Sequence, residues 1–187
     1  MKKIVLLALA ASTVAVATPA AAQTVTGTIN LTGSVAPKCF VVPGNGSTFG
    51  ETVAFGELAQ ASGVLRTDLA TAFGTKSYSV LCTTANPNIS VDSTSLATTA
   101  PAATGYDNSI DFQASVVLTT TGTNNGPFLN DSSNAALAST AVGSRLANGS
   151  GNIAISTSNY RTNAVTDLLV ADPTYQGSIV VVIAPGV

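Results

Sequence analysis

Cys39 and Cys82 are the two cysteines of the chain, and their thiols could form a disulfide, bind a metal or act as nucleophiles. Metal-binding and nucleophilic roles are poorly supported, because the sequence has no histidine and no third cysteine. An even number of cysteines in an exported protein is typical of a disulfide. A bond between them would close a loop of about 44 residues and stabilise the fold by about 4 kcal/mol in the chain-entropy model. We therefore predict one structural disulfide.

The carboxylates are scattered along the sequence. Asp107 and Asp111 lie four residues apart, and Asp131 follows Asn130. Oxygen ligands of this kind could bind Ca²⁺, but neither group has the spacing of an EF-hand loop. Solvated loop carboxylates are the simpler interpretation, so we predict no metal site.

Catalysis has little support in the residue types. No histidine is present to act as a general base near neutral pH, and the sequence lacks a Gly-x-Ser-x-Gly nucleophile turn. We predict no catalytic residues and no cofactor. A secreted hydrolase is the least favoured of the functions considered for this chain.

The N-terminus predicts export. Lys2 and Lys3 precede an apolar run over residues 4–17, which is short for a membrane span, and Ala20 to Ala22 offers a cleavage site. We predict a Sec-type signal peptide over residues 1–22, with no membrane anchor after cleavage. The mature chain would pass through the periplasm to the cell surface or the extracellular space.

The composition limits the choice of partners. Removal of Lys2 and Lys3 would lower the formal net charge from −2 to −4, which argues against nucleic acid as a partner. Charged residues are 9% and hydrophobic residues 45% of the sequence. The surface must therefore be built mainly from Ser, Thr, Asn and Gly. Such a surface suits a protein that is buried in an assembly, although many secreted β-domains share it.

The segment 24–42 has the longest period-two pattern of the chain, as expected for half-buried β-structure. Strands usually span about 5–6 residues, so this segment is long enough for two, with a break at Gly33 or Pro37. The first half could pair within its own domain or with another molecule. The small and apolar residues of the pattern are Val25, Gly27, Ile29, Leu31, Gly33, Val35, Pro37, Cys39 and Val41.

The remaining sequence predicts short strands separated by polar loops, which together favour one antiparallel β-sandwich. Residues 93–106 and 119–133 are rich in Thr, Ala, Ser, Asn and Gly and are predicted to be loops. A turn or two of helix within residues 59–72 is a weaker possibility. The predicted strands are 52–56, 77–82, 88–91, 110–118, 152–156 and 177–184.

The last predicted strand is apolar on both faces. Ile179, Val181 and Ile183 point one way, while Val180 and Val182 point the other. A strand inside a complete sandwich would have this pattern. A strand that flanks an open groove, to which another strand could be added, would have it too.

The order of these segments resembles that of chaperone–usher pilins, in particular the spore coat protein U-like and archaic fimbrial subunits. The resemblance rests on a signal peptide, the alternating segment 27–35 that leads into Cys39, the motif 53–58, a strand ending in Cys82, and the terminal segment 175–183. It covers most of the mature chain.

The resemblance implies an incomplete immunoglobulin-like antiparallel β-sandwich of pilin type with one disulfide. Residues 23–33 would be a donor-strand extension and residues 34–187 the domain, whose missing strand after Val187 would create the acceptor groove. A periplasmic chaperone and then another pilus subunit would each supply a strand, with an outer-membrane usher directing the exchange. The implied donor residues are Val25, Gly27, Ile29 and Leu31, and the implied groove-flanking residues are Ile179, Val181 and Ile183.

Two functions follow from these interpretations. The first is a structural subunit of a pilus, fimbria or related surface fibre that polymerises through its N-terminal extension. The second is a self-contained secreted β-sandwich that acts as an adhesin or binds glycans through its loops. Four Tyr and no Trp leave few aromatic platforms for sugars, which favours the first.

Overall fold

A computed structural model describes residues 25–42, 50–122 and 125–186 of the chain. The predicted signal peptide, residues 1–22, and the first residues of the predicted extension lie outside these ranges. Contacts between residues divide the chain into two units, Met1–Ser34 and Val35–Val187. Residues 25–34 of the first unit contain no helix or strand.

The second unit contains eleven strands and one short helix among its described residues. They are β1 (Cys39–Val41), α1 (Leu69–Phe73), β2 (Thr75–Tyr78), β3 (Val80–Cys82), β4 (Asn88–Ala97), β5 (Tyr106–Asp107), β6 (Ser109–Leu118), β7 (Asn125–Asp131), β8 (Leu137–Ala141), β9 (Ile153–Arg161), β10 (Leu168–Leu169) and β11 (Gln176–Ala184). No helix in the described residues is long and apolar enough to cross a membrane.

Seven strands form the main sheet, in the order β11-β4-β6-β9-β2, with β7 also paired to β6 and β8 to β4. Every pairing in this sheet is antiparallel. Strands β4 and β6 pair over only two positions, Leu96↔Ile110 and Ala97↔Ser109. The sheet folds at this junction into two layers, β7-β6-β9-β2 and β8-β4-β11. The fold is therefore the predicted all-β antiparallel sandwich with one disulfide.

Strand β6 lies at the centre of the core, and its alternating burial explains why its sequence pattern predicted a strand. Its even-numbered residues from Ile110 to Leu118 are buried, while the odd-numbered residues are half-buried. Strands β7 and β9 pair with it on either side. The predicted strand 110–118 is thus confirmed, with one more residue at its start.

The predicted disulfide is confirmed. Cys39 and Cys82 are bonded and lie opposite each other in the antiparallel β1–β3 pair. Lys38 N donates a hydrogen bond to Thr83 Oγ1 at 2.9 Å, directly beside the bridge. The bridge therefore fixes residues 39–41 to the body of the domain.

Both predicted loops contain a strand. The prediction of a loop over residues 93–106 was wrong at its start, because β4 continues to Ala97. Hydrogen bonds satisfy its small polar residues: Ser93 N donates to Asn130 Oδ1 at 2.7 Å, and Ser95 Oγ donates to Asp111 Oδ1. The prediction for residues 119–133 missed β7, which forms through its pairing with β6.

Three other local predictions differ from the structure. Residues 52–56 form no strand, although Phe55 packs into the domain. The predicted strand 77–82 is interrupted at Ser79, which separates β2 from β3. The helix within the region 59–72 is restricted to α1, which begins at Leu69 and extends one residue further, to Phe73.

Candidate functional site

Strand β11 is the last strand at one end of the main sheet. Among the described residues it pairs only with β4, along its whole length from Gln176 to Ala184. Ile179, Val181 and Ile183 face the core, and Val181 is only 9% exposed. Within the described ranges, β11 is an edge strand with an apolar inner face, and Val180 and Val182 on its other face are half exposed.

A cavity of about 660 Å³ opens beside the first part of β11. Residues of both layers form its walls, so the opening leads into the interface between the layers. Across it from β11 lie β2 and the segment 50–55. The apolar side chains around it include Ile179, Val181, Leu96, Phe112 and Ile155.

A second cavity, of about 250 Å³, adjoins the second part of β11. Val181, Val182 and Ile183 lie on one side of it, and β1 with Val80 lies on the other. We refer to the two cavities together as the β11 groove. It follows the free edge of β11 and ends near the disulfide, because Cys39 is part of its wall.

Aromatic residues pack against one another at the wide end of the β11 groove. Phe112 and Tyr160 are stacked with ring centroids 5.5 Å apart, and Phe55 meets Tyr160 edge-on at 5.9 Å. Aromatic pairs at such distances stabilise packing beyond the area that they bury. These three residues were not predicted as part of the site, since each comes from a different part of the chain. Phe112 in the predicted strand 110–118 and Phe55 in the predicted strand 52–56 were the signals that the sequence carried.

The charged side chains at the groove neutralise one another. Glu51 accepts a hydrogen bond from the Tyr78 hydroxyl at 3.0 Å, and its carboxylate is 3.7 Å from Lys76 Nζ. Burial, with a smaller contribution from Glu51, raises the pKa of Tyr78 to about 12. Lys76 Nζ also lies 5.7 Å from the centroid of the Phe73 ring. The groove therefore suits an uncharged occupant.

The predicted donor residues lie in the first unit of the chain. Val25 is 96% exposed, Ile29 89% and Leu31 91%, while Gly27 has open space where a Cβ atom would lie. Burying one such aliphatic side chain contributes about 1.5–3 kcal/mol. These residues are thus available to a partner, and all four lie on the same side of the period-two pattern.

The carboxylates considered as calcium ligands hold the domain together instead. Asp107 is buried and accepts backbone hydrogen bonds from Ser109 N at 3.1 Å and Asn163 N at 2.6 Å. Asp111 and Asp131 lie 3.9 Å and 2.7 Å from Arg161 Nη2. Within the described ranges, no three His, Cys, Asp or Glu residues are grouped so as to hold a metal ion.

We expect the ion pair between Arg161 and Asp131 to make the stability of the fold sensitive to acid. The hydrogen bond from Arg161 lowers the pKa of Asp131 to about 2. The bond therefore stabilises the fold fully at pH values above the ordinary Asp pKa of about 4. This stabilisation is lost as the pH falls from about 4 towards 2. Because Arg161 is 41% exposed, we expect Asp131→Asn to cost on the order of 1 kcal/mol at pH 7.

Urea unfolding of the isolated protein at pH 7, 4 and 2.5 measures this effect. The difference between wild type and Asp131→Asn should shrink across the series. Asp92→Asn, at an exposed position of β4, is the matched control and should change stability little. A difference as large at pH 2.5 as at pH 7 would contradict the assignment.

Comparison with known proteins finds no match among family models, curated proteins or solved structures. The site is therefore defined by its own geometry. Ile179 and Val181 are part of the wide cavity, and Ile183 and Cys39 are part of the narrow one. The structure places the four predicted donor residues on an exposed segment.

Proposed function

We propose that this protein is a structural subunit of a pilus, fimbria or related surface fibre. Residues 25–31 of one copy would enter the β11 groove of another copy and add a strand to the free edge of β11. One observation supports this proposal: the same chain has an edge strand, β11, beside an apolar groove and an exposed segment, residues 25–31, in which apolar residues alternate. The role is structural, and it requires neither catalysis nor a cofactor.

Two physical contributions would drive the insertion. Among the described residues, the outer edge of β11 has backbone N–H and C=O groups without strand partners, and an added strand would pair with them. The side chains of Val25, Ile29 and Leu31 would leave water, at about 1.5–3 kcal/mol each when fully buried. Both contributions act between copies, so the domain gains stability from assembly.

The exposed edge of β11 is the reason why the proposal includes a chaperone and an usher. Val180 and Val182 are 50% and 51% exposed on the outer face of β11. A strand edge with exposed apolar residues promotes non-specific association. A periplasmic chaperone that covers β11, followed by an outer-membrane usher that delivers the next subunit, would prevent this after Sec export.

Size-exclusion chromatography and electron microscopy of the exported protein test the proposed function. We expect species at multiples of the subunit mass and thin fibres at high concentration, because each added copy leaves one groove and one extension for the next. A monomer at every concentration that nevertheless unfolds cooperatively would contradict the proposal. That result would favour the self-contained adhesin.

A further inference from the structure

We infer that neighbouring copies in the fibre also meet through opposite charges, with the basic end of one domain against the acidic end of the next. The inference rests on the proposed function, because it takes the assembly from there and adds a second contact outside the β11 groove. The basic end is defined by Lys38 and Arg145. The acidic end is defined by Glu57, Asp68, Asp167 and Asp172.

The two residues of the basic end both contact Thr83, which follows β3 and the disulfide. The backbones of Lys38 and Thr83 exchange hydrogen bonds, and Arg145 Nη1 donates to the Thr83 carbonyl oxygen at 2.9 Å. Both basic residues are exposed. Neither forms an ion pair within the described part of the chain. This end of the domain therefore presents two positive charges without negative partners.

The acidic end is built around the short parallel pair of β5 and β10. Asp167 directly precedes β10, and Asp172 lies between β10 and β11. Each carboxylate accepts hydrogen bonds within its own turn, from Ala164 N at 3.2 Å and from Thr174 N at 2.7 Å, respectively. An ionised carboxylate has about four acceptor sites, so both remain able to bind a cation. Both residues are half-exposed.

The segment 57–68 adds two carboxylates to the same end. A bridge from Val64 to β10 holds this segment in place. Arg66 forms two hydrogen bonds of 2.8 Å to Asp68, which neutralise that carboxylate. Glu57 is exposed and forms no ion pair with any described residue. Together with the two carboxylates beside β10, it leaves the acidic end with an excess of negative charge.

Strand β6 separates the two ends. It begins one residue after β5, and beyond its other end Thr121 N donates to the Arg145 carbonyl oxygen at 2.9 Å. A strand of ten residues is about 30 Å long, whereas the Debye length at physiological ionic strength is about 8 Å. The opposite charges of one domain therefore cannot neutralise each other. A second molecule can neutralise them.

The attachment of the extension decides which end faces the neighbour. Lys38 directly precedes β1, so the predicted extension, residues 23–33, joins the domain at its basic end. A copy whose extension lies in a neighbour's groove must therefore turn its basic end towards that neighbour. The wide end of the groove opens beside the first part of β11, close to the acidic end. Contact with the acidic end is attractive, whereas contact with the neighbour's basic end would be repulsive.

A second copy fits the basic end better than a polyanion does. Proteins that bind polyanions strongly neutralise about 6–10 phosphates, and this end offers two cations. The mature sequence is also acidic, which opposes the approach of a polyanion. Exposed ion pairs add little affinity but raise the rate of association. The rate of assembly is therefore the quantity that this contact controls.

Reversal of the charges at each end tests the inference by complementation. The variant Lys38→Glu, Arg145→Glu has two acidic ends, and the variant Glu57→Lys, Asp167→Lys has two basic ends. Each alone should assemble at least about tenfold more slowly than the wild type, because like charges meet at every contact. An equal mixture should recover to within about threefold of the wild-type rate, because contacts between unlike copies attract again. Light scattering of full-length chains diluted from urea measures the rates.

Two further measurements serve as controls. Asp92→Lys, at an exposed position of β4 between the ends, changes the net charge without altering either end and should assemble at the wild-type rate. Wild-type assembly should slow about tenfold when NaCl is raised from about 20 to 500 mM, because salt screens the attraction between the ends. If urea titration shows that a reversed variant does not fold, this salt dependence decides alone.

Three results overturn the inference while the proposed function stands. They are folded reversed variants that assemble as fast as the wild type, a mixture that assembles no faster than its components, and a wild-type rate that does not fall with salt. Failure of the unmodified chain to assemble at any salt concentration would instead overturn the proposed function.

Discussion

We expect the double variant Ile29→Asp, Leu31→Asp to be exported and folded as far as the wild-type subunit, and to form no fibres. Each aspartate would place a carboxylate in the apolar groove, where a buried charge without a partner costs several kcal/mol. Two lost aliphatic side chains remove about 1.5–3 kcal/mol each. A total above about 5 kcal/mol weakens the contact between copies by roughly 10⁴-fold.

The matched control adds the same charge on the other side of the segment. Thr28→Asp, Asn30→Asp places both carboxylates on the solvent face of the inserted strand, so fibres should still form, with at most a modest loss of affinity. Electron micrographs and size-exclusion profiles of both variants provide the comparison. Normal fibres from the Ile29→Asp, Leu31→Asp chain would exclude these residues as groove ligands.

The parts of the fold that could be predicted from sequence are those whose pattern is set by a single strand in contact with the core. Strand β6 alternates because one face is buried along its whole length. Strand β11 was readable from its apolar run. The disulfide followed from the presence of two cysteines behind an export signal, without any knowledge of the pairing of β1 with β3.

The parts that could not be predicted depend on partners distant in sequence. Strand β7 consists mostly of polar and turn-forming residues, and it forms because β6 offers a free edge. The end of β4 is held by hydrogen bonds from Ser93 and Ser95 to side chains of β7 and β6. Local composition favours loops at both places, and tertiary pairing overrides it.

The candidate site also has one part that could be predicted from the sequence and one part that could not. The alternation at Val25, Ile29 and Leu31 could be recognised directly, because it is a pattern within one short segment of the sequence and does not depend on contacts with the rest of the chain. The wide end of the β11 groove could not, because Phe55 and Tyr160 meet only after folding. A groove is a property of the space between elements, and no single segment encodes its volume.

A chain that carries its own donor strand should be monomeric and more heat-stable than the wild-type subunit. The variant repeats residues 24–31 after Val187 through a flexible turn. Such a tail can form a hairpin with β11, so that the added strand runs antiparallel to it. Once the groove is filled within the chain, its own N-terminal extension and those of other copies have no acceptor, so polymers should be absent.

The size of the expected stabilisation follows from the side chains that the tail buries. Three aliphatic residues contribute about 1.5–3 kcal/mol each before the cost of ordering the segment. A net gain of about 5 kcal/mol in a domain of this size corresponds to a rise in Tm of roughly 10–20 °C. The control is the same tail with aspartate in place of its copies of Ile29 and Leu31, which keeps the length and the turn. Equal melting temperatures for the two tails would show that the groove does not accept this segment, because the only difference between them is the apolar contact that assembly is proposed to use.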